Sequence, residues 1–194
     1  MQESEIMIAV LIGIALLAAI AVWFAMRRRH TTQLREKYGD EYDRTLHEHG
    51  RRGAAEAALE ERAERVSKLD IRPLDPAARE AAIVEWREVK AVFVDSPVEA
   101  VHHADRLLAK IMTTRGYPMA DFERRYEDLT VDHGEVARHY RDGHEITLKH
   151  ERGQATTEDL RQAMIHFEAL FDDLVNEVSH DDERQPVKPR TRTH

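Results

Sequence analysis

The sequence of 194 residues contains no cysteine, and this absence removes several classes of site. Without a thiol the chain forms no disulfide, uses no thiolate nucleophile and holds no cysteine-ligated zinc or iron–sulfur centre. Runs of β-branched residues are also nearly missing, whereas helix formers dominate and apolar residues recur at spacings of three and four. The sequence therefore predicts an all-α protein.

Several motifs of common enzymes and cofactor sites are missing as well. The chain has no Gly-x-Ser-x-Gly elbow, no Gly-x-x-x-x-Gly-Lys phosphate loop, no Gly-x-Gly-x-x-Gly fingerprint and no His-Glu-x-x-His pair. We therefore predict no catalytic residue, no metal site and no cofactor, and a protein that is not an enzyme.

The sequence does contain one long apolar run. Residues 6–26 are 21 consecutive uncharged and mostly apolar residues, enough for a helix of roughly 30 Å that crosses the hydrocarbon core of a bilayer. Arg27, Arg28 and Arg29 follow directly, whereas the first five residues carry only acidic charges. This asymmetry favours an uncleaved anchor over a cleaved signal peptide. We predict a single-pass protein of the bacterial inner (plasma) membrane, with its amino terminus outside and its carboxy-terminal domain in the cytoplasm.

The balance of charge is acidic. The chain has 29 Lys and Arg against 37 Asp and Glu; without the segment up to Arg29 the numbers are 26 and 35, a formal charge of −9. An acidic surface repels nucleic acid, so we predict no nucleic-acid partner. Only the Arg27–Arg29 cluster is expected to be drawn to lipid headgroups.

Residues 27–72 are predicted to form a charged helical stalk. A sparse apolar stripe that includes Leu34, Tyr38 and Tyr42 is interrupted at Gly50 and Gly53, so two helices or one kinked helix fit equally. The stripe suits either a self-associating coiled coil or a solvated stalk.

Residues 73–178 are predicted to form a small helical bundle, because capping residues and prolines divide this stretch into amphipathic segments. Residues 179–194 contain two prolines, mixed charges and little apolar surface, and are predicted to be disordered. The predicted helices run from Pro76, capped by Asp75, to Asp95; from Pro97, capped by Ser96, to Gly116; from Pro118 to about Asp128; from Asp132 to about Glu151; and from Thr157, capped by Thr156, to Val178.

Two polar clusters are the candidate sites for ligand or partner contact. The first is Arg115-Gly116-Tyr117-Pro118, and the second runs from His139 to Glu145 around Gly143. Their alternative interpretations are a helix C-cap with a turn, and a glycine that admits a neighbouring helix. The candidate contact residues are Arg115, Tyr117, His139, Tyr140 and His144.

Four short motifs lie along the chain after the apolar run: Tyr38-Gly39-Asp40-Glu41-Tyr42-Asp43-Arg44, Phe93-Val94-Asp95, Arg115-Gly116-Tyr117-Pro118 and Glu158-Asp159-Leu160-Arg161. With these motifs the chain resembles uncharacterised single-span bacterial membrane proteins with a helical cytoplasmic domain, a family frequent in actinobacteria. The resemblance implies the same architecture and a bacterial source, and it implies no activity.

Three hypotheses of function follow from these features. The first is a non-enzymatic, membrane-anchored interaction or scaffold module that positions itself or a protein partner at the bilayer. The second is an enzyme or a small-ligand or metal sensor with a histidine-containing pocket in the bundle. The third is a structural homo-oligomer that self-associates through the stalk.

Overall fold

A computed structural model describes residues 2–176, with the exception of the side chains of residues 2–6, 8–10 and 12. Within this part of the chain all regular structure is helical, which confirms the all-α prediction. The predicted disordered tail, residues 179–194, lies outside the described residues. In chain order the helices are α1 (Gln2–Tyr38), α2 (Asp40–His49), α3 (Arg52–Val66), α4 (Pro76–Asp95), α5 (Pro97–Arg115), α6 (Phe122–Asp132), α7 (Gly134–Glu151) and α8 (Thr157–Asn176).

No helix among the described residues is long and apolar enough to cross a membrane. The predicted span, residues 6–26, lies partly outside that description, because the side chains of residues 6, 8–10 and 12 are among the excepted ones.

The chain divides into two compact units, residues 1–63 and residues 64–194. In the first unit the predicted stalk is broken twice, at Gly39 with φ of 52° and at Gly50 with φ of 66°. Positive φ is readily adopted only by glycine, so both residues are suited to these turns. Gly53 lies inside α3 and breaks nothing.

Polar side chains join the three helices of the first unit. The Glu56 carboxylate on α3 accepts hydrogen bonds from Thr31 of α1 at 2.7 Å and from Tyr42 of α2 at 3.0 Å. A buried ion pair joins Glu41 to Arg62 at 2.6 Å. These bonds satisfy carboxylates that would be costly to bury alone.

The apolar stripe of the stalk is buried within one chain. Five of its residues are at most 9% exposed, and the hydroxyl of one of them, Tyr38, donates to the Leu59 carbonyl at 3.0 Å. Side chains already buried in this way are not free to form the seam of a coiled coil. The five residues are Leu34, Tyr38, Tyr42, Ala55 and Leu59.

In the second unit α4 packs on α5, α5 on α8, α8 on α7 and α7 on α6. Trp86 of α4 stacks on Phe171 of α8 with ring centroids 4.6 Å apart. The indole nitrogen of Trp86 donates to Glu168 at 3.3 Å, so the buried ring keeps a hydrogen bond.

Helix boundaries in the second unit mostly match the predicted ones. The Asp75 carboxylate accepts from the Ala78 amide at 2.8 Å, and the Thr156 hydroxyl accepts from the Asp159 amide at 3.2 Å, which confirms these two predicted caps. The Asp159 carboxylate in turn accepts from the Thr156 amide, a bond that was not predicted. The expected side-chain cap from Ser96 is wrong, because its hydroxyl makes no such bond at the start of α5.

Two predicted starts are also wrong. The third bundle helix begins at Phe122 rather than Pro118, since the Asp121 carboxylate accepts from the Arg124 amide at 2.9 Å and defines the cap. The helix expected from Asp132 begins at Gly134, because Asp132 still belongs to α6.

Gly143 allows α7 and α8 to pack closely. A Cβ placed on Gly143 would lie 2.5 Å from Cε1 of Phe167, closer than real Cβ contacts. This confirms the interpretation of Gly143 as a residue that admits a neighbouring helix.

We predict that Gly143→Ala lowers the free energy of unfolding of the bundle by about 1–3 kcal/mol, the usual cost of overpacking a core. In a Phe167→Leu background the cost should be smaller, because the clashing ring is gone. Thermal unfolding of the four proteins, followed by circular dichroism, measures both costs. An equal cost in the two backgrounds would contradict the close contact.

Candidate functional site

The first candidate cluster, Arg115-Gly116-Tyr117-Pro118, makes its contacts within the protein itself. Arg115 is 2% exposed; its Nη1 donates to the Leu174 carbonyl at 3.1 Å and its Nε to the Arg72 carbonyl at 3.3 Å. The guanidinium thus donates to two backbone carbonyls, one in the last described turn of α8 and one in the segment before α4.

Gly116 completes this corner as the C-cap of α5. Its φ is 107°, and a Cβ there would lie 2.3 Å from the Asp70 carbonyl oxygen, so only glycine fits. Tyr117 is 3% exposed, and its amide donates to the Met112 carbonyl at 3.0 Å. The cluster is therefore a helix C-cap with a turn, packed into the bundle.

The second cluster brings aromatic rings together around α7. The imidazole of His144 stacks on Phe122 of α6 with centroids 3.6 Å apart and planes at 9°. Tyr140 lies 4.9 Å from the same Phe122 ring and 6.3 Å from the Phe167 ring, centroid to centroid. Burial lowers the pKa of His144, which favours a neutral ring in this stack.

Polar atoms without partners surround Tyr140. Its side chain is 0% exposed, and its hydroxyl makes no hydrogen bond of ordinary length although Asp105 and Arg125 are close enough to influence its pKa. Burial, then the charge of Asp105, raises that pKa well above the usual range of tyrosine. Asp105 Oδ1 and Arg125 Nε are likewise buried without a hydrogen bond.

This group of Asp105, Arg125 and Tyr140, which we name the polar cluster, joins α5, α6 and α7. Asp105 and Arg125 face the Tyr140 hydroxyl without a hydrogen bond of ordinary geometry, so a water or a small polar molecule between them would be stabilising. The arrangement offers an acceptor, a cation and a hydroxyl, which suit a small hydrogen-bonding ligand.

His139 lies against a histidine that the sequence analysis did not select. Its Nδ1 is 2.9 Å from Nδ1 of His166 on α8, so one ring must donate and the other must accept. Burial, then His166 and Arg138, lowers the pKa of His139, and Asp142 opposes this. Among the described residues no group of three or more His, Asp, Glu or Cys side chains is arranged to hold a metal ion.

His166 also borders an open depression of about 630 Å³ on the bundle. Half of its lining residues are charged, namely Asp142, Glu145, Lys149 and Arg152, and Ile146 and Leu148 are its apolar members. The depression lies beside the His139–His166 pair and presents both signs of charge to a partner.

Sequence reasoning missed Asp105, Arg125 and His166. Asp105 had a usable signature, because it lies four residues after Val101 and three before Leu108, both buried, and so interrupts the apolar face of α5. Arg125 and His166 had no such signature in the sequence, since the side chains that they approach come from other helices.

Comparisons with protein-family models, with curated proteins and with solved structures found no match. The resemblance to single-span bacterial membrane proteins stays a prediction.

We predict that the bundle loses stability as pH falls below about 6.5, the ordinary pKa of histidine. Burial lowers the folded-state pKa of His139 and His144, so the unfolded chain binds more protons in this range and is favoured by acid. Urea unfolding, followed by Trp86 fluorescence in a Trp23→Phe background, should give a lower midpoint at pH 5.5 than at pH 7.5.

His139→Gln should reduce the difference between the urea midpoints at pH 5.5 and pH 7.5, because it removes one of the two histidines whose pKa burial lowers. His102→Gln, which removes a histidine of α5 outside the pair, serves as the control for the loss of an imidazole as such. A pH dependence that is the same in His139→Gln and in the parent would refute the assignment.

Proposed function

We propose that the chain is a membrane-anchored, non-enzymatic interaction module, with residues 6–26 as a single span and the helical bundle as a cytoplasmic platform for a partner protein. The observation that carries the proposal is the exposure of the amino-terminal half of α1. Ten large apolar side chains there are each 50–68% exposed: Met7, Leu11, Ile14, Leu16, Leu17, Ile20, Val22, Trp23, Phe24 and Met26.

The pattern of this exposure supports lipid as the surrounding medium. Successive helical residues are about 100° apart, so the exposed side chains at positions 14, 22, 23 and 24 point to different sides of α1. A helix that is apolar all round belongs in a core or in a membrane, and the large side chains described in this run are all exposed.

The flanking residues support the orientation. Trp23 and Phe24 make an edge-to-face pair at 5.1 Å, and the Arg27 guanidinium lies 5.0 Å from the Trp23 ring. Aromatic rings followed by cations are typical of the cytoplasmic interface of a single span.

The anchor is tested by placing two arginines in its centre. Each arginine there opposes insertion by about 2.5–3.5 kcal/mol, so Leu16→Arg with Leu17→Arg should release the protein from bacterial membranes into the alkaline-carbonate supernatant. The matched control is Val94→Arg with Met119→Arg, two exposed apolar residues of the bundle, which should stay in the pellet with the parent. Carbonate release of the parent itself would reject the anchor.

The orientation is tested in the same membranes, because a chain without cysteine accepts single reporter cysteines. A membrane-impermeant maleimide should label Ser4→Cys in intact spheroplasts and Met119→Cys only after permeabilisation. The reverse pattern would contradict the cytoplasmic position of the bundle.

The polar cluster favours a second candidate function, a sensor or enzyme that binds a small polar ligand between α5, α6 and α7. Under the first proposal the site holds no ligand, and Tyr140→Phe should change the free energy of unfolding by less than about 1 kcal/mol, since the hydroxyl makes only weak contacts with Asp105 and Arg125.

Tyr126→Phe is the matched control. The Tyr126 hydroxyl accepts from Arg141 at 3.3 Å, and its loss should destabilise the bundle by about 1 kcal/mol. A clear loss of stability in Tyr140→Phe, measured by thermal unfolding of protein purified from cells, would move the assignment to the ligand-binding function.

A further inference from the structure

The first unit contains a cleft of about 1460 Å³ at the end of the apolar run. Five arginines line it, together with short hydroxyl and amide side chains and two residues of the run. The lining includes Phe24, Ala25, Arg28, Arg29, Arg35 and Arg52. The cleft is larger than the roughly 300–1,000 Å³ of ordinary small-molecule sites.

Most of the positive charge in the cleft is not neutralised by the chain itself. Arg35 pairs with Asp43 at 3.2 Å, whereas Arg28, Arg29 and Arg52 have no ion-pair partner among the described residues and are exposed. The three cations are therefore available to an anion in the cleft.

The carboxylates of α3 that lie near this region are already engaged. Glu56 accepts hydrogen bonds from Thr31 and Tyr42, and Glu60 pairs with His30 at 2.7 Å. Neither Glu56 nor Glu60 lines the cleft. The amino-terminal end of α3, at Arg52 and Gly53, adds its partial positive charge to the same place.

The cleft has an apolar wall as well as a cationic one. Phe24 and Ala25 belong to the run that the proposed anchor places in lipid, and the arginines follow within one turn. A free phosphate would use only the cationic side, whereas a phospholipid would present its phosphate to the arginines while its acyl chains continue along the apolar residues of α1.

We propose that this cleft binds the headgroup of an anionic phospholipid, with Arg28, Arg29 and Arg52 as the phosphate contacts. The inference rests on the proposed membrane anchor and adds a specific lipid partner to it. Arg52 distinguishes a built site from a simple basic flank, because it comes from α3 and not from the sequence that follows the span.

The test uses the full chain purified in detergent, with native mass spectrometry of bound phosphatidylglycerol against phosphatidylcholine. The parent should retain phosphatidylglycerol preferentially. Arg52→Gln should weaken retention about fivefold, the effect of one cation near an anionic lipid.

Arg51→Gln is the matched control, since it removes the same charge from a neighbouring exposed residue that does not line the cleft, and it should retain lipid like the parent. Equal effects of the two substitutions, or no preference for phosphatidylglycerol, would overturn the proposal. Binding of glycerol 3-phosphate as tight as that of phosphatidylglycerol would show a site for a free phosphate and would also overturn it.

Alkaline carbonate extraction of the same proteins separates this inference from the anchor on which it rests. A parent that stays in the membrane without a lipid preference refutes the headgroup site alone. A parent that is extracted refutes the anchor and the headgroup site together.

Discussion

The Glu56 carboxylate connects the three helices of the first unit. It belongs to α3, and it accepts hydrogen bonds from Thr31 of α1 and Tyr42 of α2 while it is 7% exposed. A buried carboxylate is tolerated only when such bonds are made, so this contact selects which sides of the helices meet. Arg52 lies one helical turn before Glu56, on the same side of α3. The contact that places Glu56 against α1 therefore also directs Arg52 toward the arginines that follow the apolar run.

Helix α1 changes its environment along its length. The ten large side chains described between Met7 and Met26 are exposed, whereas Leu34 and Tyr38 are buried, and Tyr38 bonds to α3. Under the proposed anchor, the hydrocarbon core of the bilayer surrounds the exposed part of α1. The buried part packs with α2 and α3 of the first unit.

Local sequence features predicted the helices because each depended on neighbours a few residues apart. Asp75 capped α4, Gly116 ended α5 and Gly143 opened α7 to Phe167, as their residue types indicated. The start of α6 was missed because proline at 118 suggested a first helical turn, whereas the Asp121 carboxylate satisfies the free amide of Arg124. The contacts between Tyr140, Asp105 and Arg125, between His139 and His166, and between Arg52 and the cleft join residues far apart in the chain, and no spacing rule reports them.

Screening by salt limits which arginines of the cleft can interact with lipid headgroups. The Debye length is about 10 Å at 0.1 M ionic strength, so an exposed charge responds to the bilayer surface only over a short distance. Arg28 lies two residues beyond Met26, a helical rise of about 3 Å, whereas Arg35 lies nine residues beyond it, about 13 Å away. Arg35 is thus the cation least influenced by headgroups, and it is the one that pairs with Asp43. Arg52 is distant in sequence but lines the same cleft as Phe24 and Ala25. Its position near the interface therefore depends on the fold of the first unit, so a lipid preference that depends on Arg52 would report that fold as well as the charge.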